Sequence, residues 1–288
     1  MSVVLIGAGG FLGSHLAAPF RAKGEAVHPL SYRPAQHEAF LEALTGLLRA
    51  TTPRSVLIAG GSQTGRDDPV SLAELTFSNV LMPAAVASRL REHAPDARLL
   101  VFGSSWQIGE GGAHEPLNAY AASKTAAEAM LAHFALAGLR CASLRLFDTY
   151  GPGDTRGKVV NLVADAIARH SDLPMSAGGQ MIELVHIRDV LGAVEATLAA
   201  LDREAPAALR IFAIRSGQPI TVLQVLETML RLAGIENDGF IRPGVYPYRP
   251  RERFALYADT PVPPGWEPAV SLEEGLRALL QERGANTV

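Results

Sequence analysis

At 288 residues and 30.6 kDa the chain is long enough for one large domain or two smaller ones, and its 48% apolar and 19% charged residues are ordinary for a globular enzyme. A net charge of −3 leaves no basic stripe, which argues against nucleic acid and anionic membranes as partners. The opening "MSVVLIGAGG" lacks the basic n-region and small-residue cleavage site of a secretory signal, no uninterrupted apolar run approaches spanning length, and a lone Cys141 forms no internal disulfide, so the expected location is the cytoplasm.

In chain order, strand-like runs fall at Val3–Ile6, Ala26–Leu30, Ser55–Ala59, Arg98–Phe102 and Arg140–Leu146. Helical patterns separate them near Phe11–Lys23, Ala35–Ala50, Val70–His93 and Asn118–Ala137. The strand runs are nearly continuous in apolar character, as parallel strands covered on both faces require. The alternation predicts an α/β fold, a doubly wound parallel sheet of the Rossmann type. Pro19 is expected to kink or shorten the first helix. Between the second and third strands there is room for a helix but not for an extra strand. After "YGPGD" (Tyr150–Asp154) turn residues and prolines become denser. Residues 1–150 therefore read as a dinucleotide-binding domain and 151–288 as a smaller α/β substrate lobe capping the carboxyl edge of the sheet. An alternative division returns residues 185–200 to the first lobe. Cys141 lies in an apolar strand and reads as a buried thiol.

"VVLIGAGGFLGSHL" sets Gly7, Gly10 and Gly13 three residues apart, directly after a strand and opening a helix. One glycine permits the tight turn, one lets the backbone approach a pyrophosphate, and one lets helix and strand pack closely. No acid ends the second strand, "AVHPLSYRPA"; Arg33 stands there with Ser31 beside it. A guanidinium suits a 2′-phosphate, so NADP(H) is expected over NAD(H), although a solvated loop arginine is the plainer alternative.

The chain holds 23 arginines and three lysines, Lys23, Lys124 and Lys158. Lys124 follows Tyr120 by four residues in an alanine-rich helix, so both project from one face. A free phenol titrates near 10, and a nearby ammonium favours its ionised form, bringing it into range for general acid–base work. Lys124 can also hold a nicotinamide ribose, for which a compact cation serves better than an arginine fork. Ser104 and Ser105, just past the fourth strand, stand where a hydroxyl can hold a carbonyl oxygen, and where a plain turn serine is also common.

With these motifs in place, the chain resembles the extended short-chain dehydrogenase/reductase family of the NAD-dependent epimerase/dehydratase type over nearly its whole length. "GAGGFLG", "SNV" (Ser78–Val80), "YAASK", "LRLFDTYGPGD", "LVHIRDV" and "GWEPAVSLEEGL" carry the likeness. "SSWQ", "LFDTYGPGD" and "MSAGGQMIELVHIRDV" look more like its reductases and epimerases of nucleotide-linked 4-keto-6-deoxysugars, such as CDP-abequose or CDP-paratose synthases. The resemblance implies a catalytic Ser104 (counting back five from Gly109, with Ser105 as the fallback), Tyr120 and Lys124. It implies cofactor contacts at Gly7, Gly10, Phe11, Leu12, Gly13, Ser31, Arg33, Ala59, Gly60 and Lys124, and no metal. Substrate contacts are expected at Ser105, Trp106, Asp148, Met175 and Arg249. Asp148 replaces the family's usual Asn, and Ile182–Glu183 replace an Arg-Asp pair whose arginine often touches the substrate diphosphate, leaving Arg249 or Arg251 as substitutes. His186 is expected to pack near the strand edge, without a catalytic role. The implied activity is NADPH-dependent reduction of a nucleotide-activated ketosugar by a cytoplasmic homodimer. An NAD-dependent epimerase and a non-catalytic NADP-sensing regulator are the alternatives.

Overall fold

The computed structural model describes residues 2–203 and 207–287. In chain order the elements are β1 (Ser2–Ile6), α1 (Phe11–Ala22), β2 (Ala26–Leu30), α2 (His37–Thr51), β3 (Ser55–Ile58), α3 (Pro69–Leu75), α4 (Met82–His93), β4 (Arg98–Ser104), α5 (Ala119–Leu136) and β5 (Arg140–Leu146). There follow β6 (Asp148–Tyr150), α6 (Val159–Arg169), β7 (Leu173–Pro174), β8 (Met181–Ile182), β9 (Leu184–His186), α7 (Ile187–Arg203), β10 (Arg210–Ile214), β11 (Ile220–Thr221), α8 (Val222–Ala233), β12 (Ile241–Arg242) and α9 (Leu272–Glu282). They form two compact units. The first takes the chain up to Leu146 together with Leu191–Ile214 and Asp259–Trp266; the second takes Phe147–Val190, Arg215–Ala258 and the chain from Glu267.

The first unit is built on a six-stranded sheet of order β10-β5-β4-β3-β1-β2, every pair parallel. β1, β3, β4 and β5 are buried almost end to end, which is why their sequences are apolar without alternation. β2 pairs only with β1 and is partly exposed, so Pro29 is tolerated at an edge. α2 alone fills most of the link from β2 to β3, and no further strand lies there. The chain thus runs outward from β1 to β2 and crosses back to β3, placing the topological switch between β1 and β3. In open α/β sheets ligands bind at such a point, beyond the carboxyl ends of the strands.

α1 does not stop at Pro19 but runs on to Ala22. A proline that late removes one intrahelical bond with only one turn left to lose. α3 and α4 are joined without a break by a π-helical stretch, Thr76–Leu81. Read as one helix, Pro69–His93 has 25 residues and an 18-residue window of mean hydropathy 1.4, long and apolar enough by those two measures to cross a bilayer. Polar interruptions at Glu74 and Asn79 hide this in the sequence, and half of the window is buried inside the protein, as in a core helix. Leu44, Leu48, Val86, Leu90 and Leu131 pack with strand residues Val4, Val56 and Leu99 in one core.

The second unit gathers α6, α8 and α9 around Val163, Leu226, Met229 and Leu276. Its short strands pair as β6 with β9, β7 with β12 and β8 with β11. The Asp189 carboxylate accepts hydrogen bonds from the backbone of Ala269 (2.9 Å) and Val270, joining "IRDV" to the C-terminal segment. Gly275 is required where it stands, since a Cβ there would strike the buried Tyr150 hydroxyl. His186 is buried and meets the Tyr150 ring edge-on at 5.4 Å, a packing position.

Candidate active site

The three glycines after β1 do three different jobs. Gly7 has φ +86°, and a Cβ on it would overlap the Gly60 backbone after β3. Gly13, buried in the first turn of α1, faces the Gly7 carbonyl so closely that a Cβ would lie 2.8 Å from both Ala8 Cα and Gly7 C. Gly10 is different. It caps α1, donates its N–H to the Gly7 carbonyl (3.2 Å), and a Cβ on it would meet nothing closer than 3.7 Å. The protein itself thus has no steric need for glycine at position 10. Phe11 and Leu12 open α1, half-buried, directly behind this exposed turn. Ala59 and Gly60 both donate to the Ile6 carbonyl (2.9 and 3.1 Å), so the β1 and β3 ends of the switch are bonded to each other.

At the end of β2, Tyr32 is pinned: its hydroxyl donates to the Phe77 carbonyl (3.3 Å) and its ring meets Phe40 edge-on at 5.0 Å. Ser31 and Arg33 flank it, exposed. Among the described residues no carboxylate lies within ion-pair distance of Arg33.

The π-helical stretch turns Asn79 inward, and this residue did not stand out in the sequence beyond its place in "SNV". Asn79 is buried; its amide donates to the Ser62 carbonyl and the Ser123 hydroxyl (2.9 Å each), and its oxygen accepts from Ser62 N–H (3.0 Å). Single π turns frequently mark functional positions because they swing one side chain out of the helical register. Here the effect is to tie the loop after β3 to α5. Gly61 in that loop lies against Lys124, whose ammonium would be 3.3 Å from a Cβ placed there.

α5 begins at an Asn118 cap, whose side chain accepts from Ala121 N–H at 2.9 Å. Tyr120 and Lys124 project from its first turns, the Lys124 ammonium 5.8 Å from the Tyr120 ring centroid. Burial pushes the Lys124 ammonium down to about 8, while Glu128 one turn further pulls the other way. Among the described residues no acceptor lies within hydrogen-bond distance of that ammonium. Lys124 as a residue is half-buried, so its donors, which no protein acceptor takes, are open to a ligand.

Ser104 ends β4 and caps a short 3-10 turn, Ser105–Gln107. Its hydroxyl oxygen accepts from Trp106 N–H (3.2 Å), and its own N–H donates to Gln107 Oε1 (2.8 Å). The turn-capping alternative is therefore real. It also leaves the Ser104 hydroxyl proton able to donate elsewhere. Ser104 is half-buried, whereas Ser105 is buried. Trp106 is half-buried, and its carbonyl accepts from Leu117 N–H at 2.9 Å, tying the turn to the start of α5.

Below Lys124 lies a buried ion pair that the sequence reading missed. Glu128 accepts two bonds from Arg145 (3.2 and 2.6 Å) and one from Ser143 (2.7 Å). A cavity of about 10 Å³ separates this group from the glycine end of the site, bordered by Gly60, Asn79, Gly103, Lys124, Glu128 and Ser143.

In the second unit Asp148 is half-buried at the start of β6, its N–H donating to the Glu183 carbonyl (3.0 Å). Lys158 donates to the neighbouring Thr149 carbonyl (3.0 Å) and is depressed by burial, with Asp148 pulling it back up. Glu183 is buried, raised by that burial, and accepts from Gly217 N–H at 2.6 Å, which makes it a loop anchor. Met175 is buried in this unit's core and its carbonyl accepts from Val245 (3.0 Å). Arg249 and Arg251 are exposed, Arg251 with φ +60°. Cys141 is buried and pushed up to about 12, an inert thiol. Among the described residues no three His, Cys, Asp or Glu side chains are grouped to hold a metal.

Comparison with known proteins agrees with this fold. A CDP-abequose synthase from Yersinia pseudotuberculosis is 24% identical over 208 residues, covering 67% of this chain and 72% of that protein. The solved structure of MoeE5 in complex with UDP-glucose and NAD superposes with a TM-score of 0.81 at 23% identity, covering 98% of each chain. RMD from Pseudomonas aeruginosa complexed with NADPH gives 0.80 at 23% identity, again over 98% of each chain. Residues 3–212 match the profile of the NAD dependent epimerase/dehydratase family, and with the glycine turn, the Tyr120–Lys124 pair and the parallel sheet that carries them, the chain belongs to that family.

Proposed function

We propose that the protein is an NADPH-dependent ketoreductase acting on a nucleotide-activated deoxysugar of the 4-keto-6-deoxyhexose type. The observation that carries this is the Lys124 ammonium, half-buried, depressed by burial, without a protein acceptor among the described residues, and 5.8 Å from the Tyr120 ring. The glycine turn fits a dinucleotide: Gly10 leaves open the space in which a pyrophosphate would meet the α1 N-terminus. Exposed Arg33, with Ser31 beside it, fits a 2′-phosphate. A bound reduced nicotinamide supplies the hydride. Tyr120 donates the proton to the ketone oxygen, Ser104 holds that oxygen by a hydrogen bond, and Lys124 secures the ribose and the Tyr120 orientation. Within the first unit, Ser105 and Trp106 of the turn after β4 are the substrate contacts; within the second, Asp148 and Arg249 are the residues offered to a substrate. Exposed Phe77, Leu81, Met130 and Leu136 on the π stretch and α5 support a homodimer. The likeness to a CDP-abequose synthase supports the ketosugar class.

The test is NADPH oxidation by purified protein against CDP-, dTDP-, GDP- and UDP-linked 4-keto-6-deoxysugars, wild type beside Tyr120→Phe. The expected result is turnover of at least one substrate, with the variant slower by about two to four orders of magnitude at near-normal NADPH affinity. Equal turnover by the variant overturns the assignment. Retained NAD in the purified protein, with interconversion of sugars and no net oxidation, would make it an epimerase instead.

A further inference from the structure

We propose that Glu128 is a positioning residue for this site: from one turn below, its carboxylate, clamped by Arg145 and Ser143, holds the Lys124 ammonium electrostatically against the Tyr120 face. The inference rests on the role given to Lys124 above.

Lys124 and Glu128 are four residues apart on α5, so their side chains share a face, and both border the same small cavity. The Glu128 carboxylate cannot swing to meet the ammonium directly, because Ser143 Oγ–H and two guanidinium N–H groups fix it. Gly103 makes room for this arrangement: a Cβ there would be 3.2 Å from Glu128 Oε1 and 2.5 Å from Gln107 Oε1. The Gln107 side-chain oxygen at that place accepts from Ser104 N–H, so Gly103 borders both the Glu128 clamp and the Ser104 turn. Among the described residues the titratable groups facing Lys124 are few. α5 presents Tyr120 and Glu128, β5 presents Arg145 behind Glu128, and the β3 loop and π stretch present Gly61, Ser78 and Asn79, none of which titrates. Burial drives the lysine towards neutrality, and Glu128 is the carboxylate that opposes it.

The experiment is a pH titration of Lys124 followed by NMR of protein carrying 13Cε-labelled lysine. With three lysines in the chain, the Lys124 signal is assigned by its loss in Lys124→Met. Wild type should titrate near 8. Glu128→Gln should lower the midpoint by about one unit or more. The double variant Glu128→Leu/Arg145→Met, which replaces the pair with apolar side chains and so guards against misfolding, should shift it in the same direction. A wild-type midpoint retained in a folded variant overturns the proposal, and lower melting with an unmoved midpoint marks Glu128 as a partner of Arg145 only. The readout needs no substrate, so failure of the ketoreductase assay and failure of this inference remain separate results.

Discussion

Gly13→Ala separates what the glycine turn does for the fold from what it does for a ligand. In an ordinary helix position alanine gains up to about 1 kcal/mol over glycine. At Gly13 the added methyl would meet Gly7 C and Ala8 Cα at 2.8 Å, and the Gly7 carbonyl oxygen closer still. All three are backbone atoms, so no rotamer can move aside; β1 and α1 must part by a sizeable fraction of an ångström. Overpacking of this kind costs about 1–3 kcal/mol, and the rigid contact puts Gly13 at the upper end, leaving a net loss of about 1–2 kcal/mol. For a unit of this size that lowers the melting temperature by about 2–8 °C. Gly10→Ala, with its nearest atom at 3.7 Å, should cost less than about 1 kcal/mol in the absence of cofactor, yet weaken NADPH binding at least tenfold. Thermal melts of both variants and NADPH titrations by tryptophan fluorescence measure the two effects. Unchanged melting of Gly13→Ala would refute the packing argument, and undiminished NADPH binding by Gly10→Ala would refute the pyrophosphate approach.

Arg33→Ala should raise the Kd for NADPH by about tenfold while leaving NADH binding within twofold, as loss of one charge-assisted contact to a phosphate predicts; equal losses for both cofactors would place Arg33 elsewhere. Lys124 is depressed in the folded state relative to 10.5 when unfolded, so its burial cost is fully present below pH 8 and is relieved as pH rises from 8 towards 10.5. Urea melts between pH 8 and 9 should show wild type gaining stability with pH relative to Lys124→Met, the opposing ionisation of Cys141 in the unfolded chain being common to both proteins; parallel pH dependences would contradict this. Arg98 is buried and donates to Ser55 (2.6 Å), Asp202 (2.9 Å) and the Leu198 carbonyl (3.1 Å), so Arg98→Ala should destabilise by about 3–5 kcal/mol in the same melts, with Asp202→Asn costing less because Asp202 is more exposed.

The sheet was legible in the sequence because its causes are local. Strands buried on both faces must be apolar throughout, helices between them must show their own period, and a glycine triplet or a tyrosine–lysine pair sits within seven residues of chain. So β1, β2, α1 and α5 fall within about one or two residues of where periodicity puts them. Tertiary structure decided the rest. That β2 is an edge and β10 joins β5 depends on which strands cross over, and no run of residues encodes that. Asn79 became part of the site only because a π-helical stretch aims it at Ser123, 44 residues away. Glu128 reads as one more exposed acid on an alanine helix until β5 brings Arg145 and Ser143 beneath it. In each case the decisive energy is the cost of burying a polar group unpaired, and the partner that removes that cost is supplied by sheet register rather than by sequence neighbours.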